Sequence, residues 1–428
     1  MGNFSLNEEK DPYKSEFKPT LGLFDATGIS VGTIVGAGIF VVVGVAAGLA
    51  GPALIVSMLI AAVISAFTAL SFARLTAWQP KEGSIYEYAY QLISPFAGFL
   101  TGWMWMTSNA FAGAAVSLGF ANYLYALFPA FPSNLVAVVL CLLFTAFNYW
   151  GVHQSASLNN ILVVAKLSIL GIFVIYGLFY VDPSNFAAFD PFHSGVLSGA
   201  FYIFFAYGGF ARVAVVAEEV KDAKHNVPRA IIISLVISTL VYIFVGLVAV
   251  GLIGTPELAK SNSPLTDAIG ITGNPLAVYT VSVGGLIATA SVLLTSILGV
   301  SRMAYAMARR KDLPQTLEKL HPKYNTPYYS VVIFGTLIVM LVLLVDVTKV
   351  VAVSTFALLF YYSLANVSAL RLNAKNKSYT IISFLGAITC IILLGLTVVA
   401  SPQAFFIGIG VLAVGVLYYW LKNSLYAL

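Results

Sequence analysis

Charge is scarce in this chain. Asp, Glu, Lys and Arg make up 9% of its 428 residues, against roughly 25% in a soluble domain. So few charges cannot clothe a water-facing surface of this size, which excludes an ordinary soluble globular protein. Cysteine is nearly absent: Cys141 and Cys390 are the only two, and both fall inside apolar runs. They read as small buried residues, not as a disulfide or a metal pair. The 4 histidines, His153, His193, His225 and His321, lie between apolar runs, and none stands at metal-ligand spacing with Cys or carboxylates. No Walker-type phosphate loop occurs, which argues against ATP-driven work within this chain. No nucleophile–base pair lies in the apolar runs, so neither an enzyme nor a cofactor is indicated. The net charge of +5 comes from basic residues scattered over short connections, not from a patch that would hold nucleic acid.

Hydrophobic length is what the chain has. It is 60% hydrophobic and 14% aromatic. Apolar runs long enough to cross a bilayer, about 17–25 residues, recur near 22–48, 52–76, 96–128, 134–151, 158–180, 195–219, 228–253, 275–307, 329–346, 349–371, 379–399 and 403–421. They predict an all-α integral membrane protein with about twelve transmembrane helices, a single unit over 1–428 with no soluble domain between spans. The aromatic share suits interfacial belts. With the N-terminus inside, the inner segments collect Lys10, Lys14, Lys18, Arg74, Lys81, Lys221, Lys224, Arg229, Arg302, Arg309, Arg310, Lys311, Lys319, Lys323, Arg371, Lys375, Lys377 and Lys422, whereas the outer loops hold Lys260 and Lys349. The positive-inside bias places both termini in the cytoplasm of a plasma-membrane protein. Residues 1–20 read as a polar cytoplasmic tail rather than a cleavable leader.

Two runs are interrupted by glycine: Gly32-Thr33-Ile34-Val35-Gly36-Ala37-Gly38-Ile39-Phe40 and Phe204-Phe205-Ala206-Tyr207-Gly208-Gly209-Phe210. Glycine costs a helix roughly 0.5–1 kcal/mol against alanine, so clusters of it at membrane depth suggest helices that break. A break exposes backbone N–H and C=O groups that hydrocarbon cannot satisfy. Those groups must face protein, water or a ligand. The alternative is close helix packing, since Gly32 and Gly36 have small-xxx-small spacing. Two breaks in the first and sixth spans predict a secondary transporter of inverted repeats, 21–180 and 194–371, followed by two additional helices over 379–421.

Several motifs point to one family. Gly36-Ala37-Gly38-Ile39-Phe40 resembles the first-helix G-x-G-[IV]-F motif of the amino acid–polyamine–organocation (APC) transporters. The stretch from Phe204 to Phe210, with Ala217-Glu218-Glu219-Val220-Lys221 and Val227-Pro228-Arg229-Ala230, resembles their sixth helix and the loop after it. Ser301-Arg302-Met303-Ala304-Tyr305-Ala306-Met307-Ala308-Arg309, Leu313-Pro314 and His321-Pro322-Lys323-Tyr324-Asn325-Thr326-Pro327 resemble the end of their eighth helix and its loop. Pro80-Lys81-Glu82-Gly83-Ser84-Ile85-Tyr86-Glu87-Tyr88 resembles the loop after helix two. The resemblance implies the leucine-transporter-type 5+5 inverted repeat with broken helices 1 and 6, and amino acids or related amines as substrates.

An amino acid presents a carboxylate and an ammonium. A half-helix N-terminus suits the first, and half-helix carbonyls suit the second. Ala37 and Gly38, opening the second half of helix one, are the candidate carboxylate donors. Ile34 and the turn Phe205-Ala206-Gly208 are the candidates for carbonyls and walls. The resemblance implies that Phe205 is the family's aromatic gate. Ser296 on helix eight is a candidate for the side-chain pocket. Walls near Phe205, Tyr207 and Ser296 are apolar or small and favour neutral substrates.

Lys166 is the one charge of its span. A charge at bilayer depth costs at least about 2.5–3.5 kcal/mol and is a functional candidate by default. Removal from water favours the neutral amine of any lysine, so such a group can exchange a proton. The resemblance to members with a helix-five lysine in place of a sodium ion implies that Lys166 bonds the Gly32 carbonyl and the Ser291 hydroxyl, with Thr295 a second choice for the hydroxyl. A permanently charged structural lysine, or one snorkelling to the interface, is the plainer alternative. Family members often carry G-F-[ED] after the sixth-helix turn. Here Ala211 stands there, followed by Arg212, which weakens the case for a cationic substrate. The Arg212 guanidinium calls for a carboxylate or carbonyls, as an inner-gate pair or in contact with an acidic substrate. Asp25 reads as an N-terminal helix charge, and Glu218 and Glu219 as inner-surface charges. The leading functional reading is a proton symporter importing amino acids by alternating access. An exchanger of the same fold is the alternative, and a non-transporting membrane sensor fits least.

Overall fold

The computed structural model describes residues 19–80, 84–151, 156–372 and 377–426. The tail residues Lys10, Lys14 and Lys18, together with Lys81, Glu82, Gly83, His153 and Lys375, lie outside the described residues, as does the side chain of Ala37.

Among the described residues the fold is helical throughout, apart from one isolated backbone bridge. In chain order the helices are α1 (Leu23–Ile34), α2 (Ala37–Ala50), α3 (Leu54–Trp78), α4 (Ser84–Leu92), α5 (Pro95–Leu127), α6 (Ser133–Tyr149), α7 (Ala156–Gly177) and α8 (Gly195–Ala206). A 3₁₀ segment, Phe210–Glu219, follows, and then α9 (Ala223–Lys260), α10 (Pro264–Gly270), α11 (Pro275–Arg309), α12 (Tyr328–Leu344), α13 (Val347–Leu372), α14 (Lys377–Gly395), α15 (Thr397–Ala400) and α16 (Pro402–Tyr426). Nine helical stretches among the described residues are long and apolar enough to cross a membrane, and α6 and α12 are shorter apolar helices.

Local sequence explains the helix starts. Asp25 Oδ2 accepts the Gly22 N–H at 2.9 Å at the head of α1. Ser94 caps α5 by accepting from Ala97 N at 3.1 Å, with Pro95 in the first turn. Asn274 caps α11 in the same way, ahead of Pro275. Such caps satisfy amides that a helix leaves unpaired. The outer surface is apolar: on α6, Leu135, Val139 and Leu142 are 59%, 53% and 55% exposed. Water would not tolerate that stripe repeated around the bundle, whereas lipid covers it. The buried middle is formed by α5, which packs most extensively against α11 and α13.

Two elements escape hydropathy. Helix α4 is short and amphipathic, and α10 is seven residues long, so neither makes a run of crossing length. Helix α9 extends at both ends beyond 228–253: it starts at Ala223 and carries Pro228 inside it, and at the far end the chain kinks at Gly254, φ 72°, before Pro256.

The two glycine clusters are breaks. Helix α1 stops at Ile34, and α2 begins at Ala37 after Val35 and Gly36. Helix α8 stops at Ala206, and its continuation is wound as a 3₁₀ helix, with Val216 leaving the helical region at φ −104°, ψ 18°. The breaks lie backbone to backbone. A Cβ on Gly38 would overlap Ala206, and one on Gly209 would overlap the Thr33 carbonyl and come within 2.6 Å of Ile34 N. Only hydrogen fits at either place. At the base of the pair, the Thr20 and Leu21 N–H groups donate to Glu219 O at 2.9 and 3.0 Å, and Lys221 N–H donates to Leu21 O at 2.8 Å.

Candidate functional site

Each break leaves carbonyls outside the regular α-helical ladder. Side chains from neighbouring helices take several of them. Thr33 Oγ1 donates to Gly209 O at 2.8 Å, Ser30 Oγ to Phe210 O at 3.4 Å and Tyr362 OH to Gly208 O at 3.2 Å. Tyr242 OH, from α9, lies 2.5 Å from Ile34 O and 3.0 Å from Ala206 O. One hydroxyl proton thus serves one carbonyl from each break. A carbonyl has two lone pairs, so Ala206 O keeps capacity for an ammonium donor, whereas Ile34 O also accepts the Gly36 N–H at 2.7 Å. Tyr242 was not singled out by sequence reading. Its signal is the single tyrosine of an apolar span, where a buried phenol must find a partner.

A cavity opens beside the breaks. Ile34, Gly38, Phe205, Ala206, Gly208 and Arg212 line it, which brings together most of the candidate substrate residues. Ala37 starts α2, and the first-turn amides of that half-helix carry the positive end of its dipole. Ser296 corrects the expectation: it is fully buried and does not face the cavity. Its hydroxyl instead accepts from Arg212, so it supports a wall residue rather than forming the wall.

Lys166 is 1% exposed, so it does not snorkel. Its Nζ donates to Gly32 O at 2.9 Å and to Ser291 Oγ at 3.2 Å. Ser291 in turn donates to Ala288 O at 2.9 Å, which leaves its lone pairs to the ammonium. The lysine therefore joins α7, α1 and α11. Gly32 is what lets the helices approach, since a Cβ there would come within 2.8 Å of Val163 Cγ2. Thr295 takes no part in this junction.

Arg212 departs furthest from expectation. Its Nη1 donates to Thr295 Oγ1 at 2.6 Å, and its Nη2 donates to Asn109 Oδ1 at 2.8 Å and Ser296 Oγ at 2.9 Å. These partners are two hydroxyls and the amide carbonyl of Asn109, so of the carboxylate or carbonyls called for it finds a side-chain carbonyl. No carboxylate among the described residues forms an ion pair with it. Asn109, on α5, was not legible as a partner, because nothing local relates it to Arg212.

At one end of the bundle, two of the family-like motifs meet. Tyr86 OH donates to Asp312 Oδ2 at 2.6 Å, and Lys422 Nζ donates to Asp312 Oδ1 at 2.9 Å. Arg310 pairs with Glu87 at 2.5 Å and sits 4.3 Å from the Tyr90 ring centroid. Burial, and then the Asp312 carboxylate, push the Tyr86 hydroxyl well up, so it stays a donor throughout the physiological range. The network fastens α4 and the end of α11 to α16.

Membrane-length helices around a cavity bounded by two helix breaks define a multi-pass membrane transporter, not an enzyme. The amino acid permease family model matches residues 21–422. The chain is 35% identical over 408 residues to an uncharacterised transporter of Mycobacterium tuberculosis, covering 94% of this chain and 92% of that one. It is 31% identical over 384 residues to a branched-chain amino acid permease of Bacillus subtilis, covering 85% and 83%. It is also 35% identical over 336 residues to a methylthioribose transporter of Bacillus subtilis, covering 74% and 73%. The chain belongs to the amino acid permease family of the APC superfamily and transports amino acids or related metabolites.

Proposed function

We propose that this protein imports amino acids by proton symport through alternating access, with Lys166 as the proton site. The observation that carries the proposal is the Lys166 junction with Gly32 O and Ser291 Oγ. Protonated, the ammonium holds α1 and α11 together through charge-assisted bonds, worth about 1.5–3 kcal/mol each against about 0.5–1.5 for neutral ones. Loss of the proton weakens both and frees the first half of helix one to move. The bonded carbonyl is adjacent to the break that faces the cavity, so proton and substrate act on one element. The α2 amides, with Ala37 and Gly38 foremost, take the substrate carboxylate. The Ala206 carbonyl takes the ammonium alongside Tyr242, with Ile34 and Gly208 in the wall and Phe205 as lid.

Paired breaks in the first and sixth spans support a 5+5 inverted repeat, 21–180 and 194–371, with two further helices over 379–421. Counting α1–α2 and α3 as separate crossings, and adding α6 and α12, supports about twelve spans. The distribution of Lys and Arg supports a plasma-membrane protein with both termini in the cytoplasm. The apolar wall of Phe205, Val116 and Leu358 accommodates the neutral substrates favoured by sequence, but the same cavity carries Arg212.

Proteoliposomes with an inward proton gradient and no internal substrate test the proposal. Wild-type protein should accumulate its amino acid, and Lys166→Ala should abolish accumulation while substrate counterflow persists. Full accumulation by Lys166→Ala would refute the proton site. Uptake that occurs only with substrate loaded inside would instead identify an exchanger.

A further inference from the structure

A second, partly buried cation, Arg212, lies beside Lys166. Lys166 bonds Ser291, and Arg212 bonds Thr295, residues one turn apart on the same face of α11. Thr295 Oγ1 itself reaches back to Ser291 O at 3.2 Å. Neither cation pairs with a carboxylate among the described residues. A charge drawn out of water normally has an opposite charge to compensate it, and two like charges bonded to one face of α11 sharpen that need. The deficit is one of negative charge, and it faces the cavity, because Arg212 is one of its lining residues.

We propose that the substrate supplies the missing charge: the protein carries amino acids with an acidic side chain, whose second carboxylate docks on Arg212. The inference rests on the amino acid transport reading above and names its substrate class. A zwitterion brings no net charge, since its carboxylate is matched by the α2 amides and its ammonium by the carbonyls of the breaks. Only a second carboxylate offsets Arg212. The guanidinium offers five N–H donors in a planar fork, of which the three protein contacts leave donors free. Those contacts also aim the fork. Asn109 Nδ2 is anchored on Trp105 O at 2.9 Å, so its Oδ1 is turned to Arg212, and Ser296 and Thr295 hold the guanidinium from α11. A cation fixed by neutral groups is pre-organised for an anion rather than already satisfied. Arg212 lines the same cavity as Ile34, Ala206 and Gly208, so a substrate held at the breaks has its side chain in the space that Arg212 faces. Aspartate and glutamate are that class, and they replace the neutral preference read from the apolar wall alone.

Isosteric pairs test this without any mutant. Thermal-shift titrations of the purified full chain at pH 7 compare glutamate with glutamine and aspartate with asparagine, which differ in charge but hardly in shape. The charged member of a pair should bind about 100-fold more tightly, as for a buried charge pair broken on one side. Arg212→Gln should remove that preference and leave amide binding within a few-fold. Equal or tighter binding of the amides would overturn the inference, as would an equal loss of both by Arg212→Gln, which would assign Arg212 to the α-carboxylate. Absence of binding by all four would overturn it together with the class of substrate assumed. The proton reading is scored separately: Lys166→Ala should still bind glutamate while failing to accumulate it.

Discussion

Gly209→Ala isolates the contact between the two breaks. Gly209 has φ −87° and ψ −21°, a conformation alanine adopts freely, so the backbone itself raises no objection. Alanine would even lower the entropy of the unfolded chain, which stabilises by about 0.4–1 kcal/mol where the native site permits it. Space decides the outcome. The new Cβ would overlap the Thr33 carbonyl and lie within 2.6 Å of Ile34 N. Ordinary contact requires about 3.5–4.0 Å, so the breaks must part by about an ångström, and the obstacle is backbone that cannot rotate away. Overpacking of this kind costs about 1–3 kcal/mol. Parting also stretches the 2.8 Å bond from Thr33 Oγ1 to Gly209 O, adding about 1 kcal/mol. The net expectation is a loss of about 1–3 kcal/mol and of most transport. Gly171→Ala is the control, since nothing lies within 4 Å of its Cβ position. There, alanine within α7 should be neutral or stabilising by about 0.5–1 kcal/mol. Melting by scanning fluorimetry and uptake in proteoliposomes read both variants. Wild-type melting and uptake in Gly209→Ala would refute the backbone contact between the breaks.

Tyr242→Phe removes the one hydroxyl shared by the Ile34 and Ala206 carbonyls. The ligand-free protein should lose about 1–3 kcal/mol, and saturating substrate should recover part of that loss through its ammonium. The ligand-induced melting shift of Tyr242→Phe should therefore exceed that of the wild type, and an unchanged shift would separate Tyr242 from the site. Asp312→Asn removes the charge that pairs with Lys422 and accepts from Tyr86 in a largely buried setting. It should lower stability by about 1–3 kcal/mol and expose the end of α16 to limited proteolysis, and wild-type resistance to cleavage would count against that anchorage. Together with Lys166→Ala and Arg212→Gln, these variants probe each polar junction separately.

The spans were legible because bilayer thickness imposes a length that hydropathy reads directly, and the breaks because glycine is costly in a helix that has no need of it. Lys166 stood out as a charge in an apolar run, and its contacts with Gly32 and Ser291 could be named from the resemblance to family members with a lysine in helix five. What stayed hidden is relational. Arg212 was visible as an oddity, but its partners Asn109, Thr295 and Ser296 lie on helices whose rotation no local pattern reports. Ser296 looked like a pocket wall because it is small and polar, and only packing shows which side of Arg212 it occupies. Helix α4 carries too little apolar length to register, although its Tyr86 and Glu87 lay inside a motif whose contacts with Asp312 and Arg310 were invisible. The 3₁₀ winding of Phe210–Glu219 has no signature in residues that would equally suit an α-helix.

The parallel bridge between Leu21 and Val220 bears on how such a bundle rocks. It ties the foot of α1 to the foot of the 3₁₀ segment, while Thr33 and Gly209 tie their tops. Two struts from opposite halves of the chain are thereby riveted at both ends into one lever. Whatever tilts one must tilt the other, so opening toward that side of the membrane is a single swing rather than two successive ones. On the mechanism proposed above, a proton lost at Lys166 and a ligand leaving Arg212 would act on the same paired element.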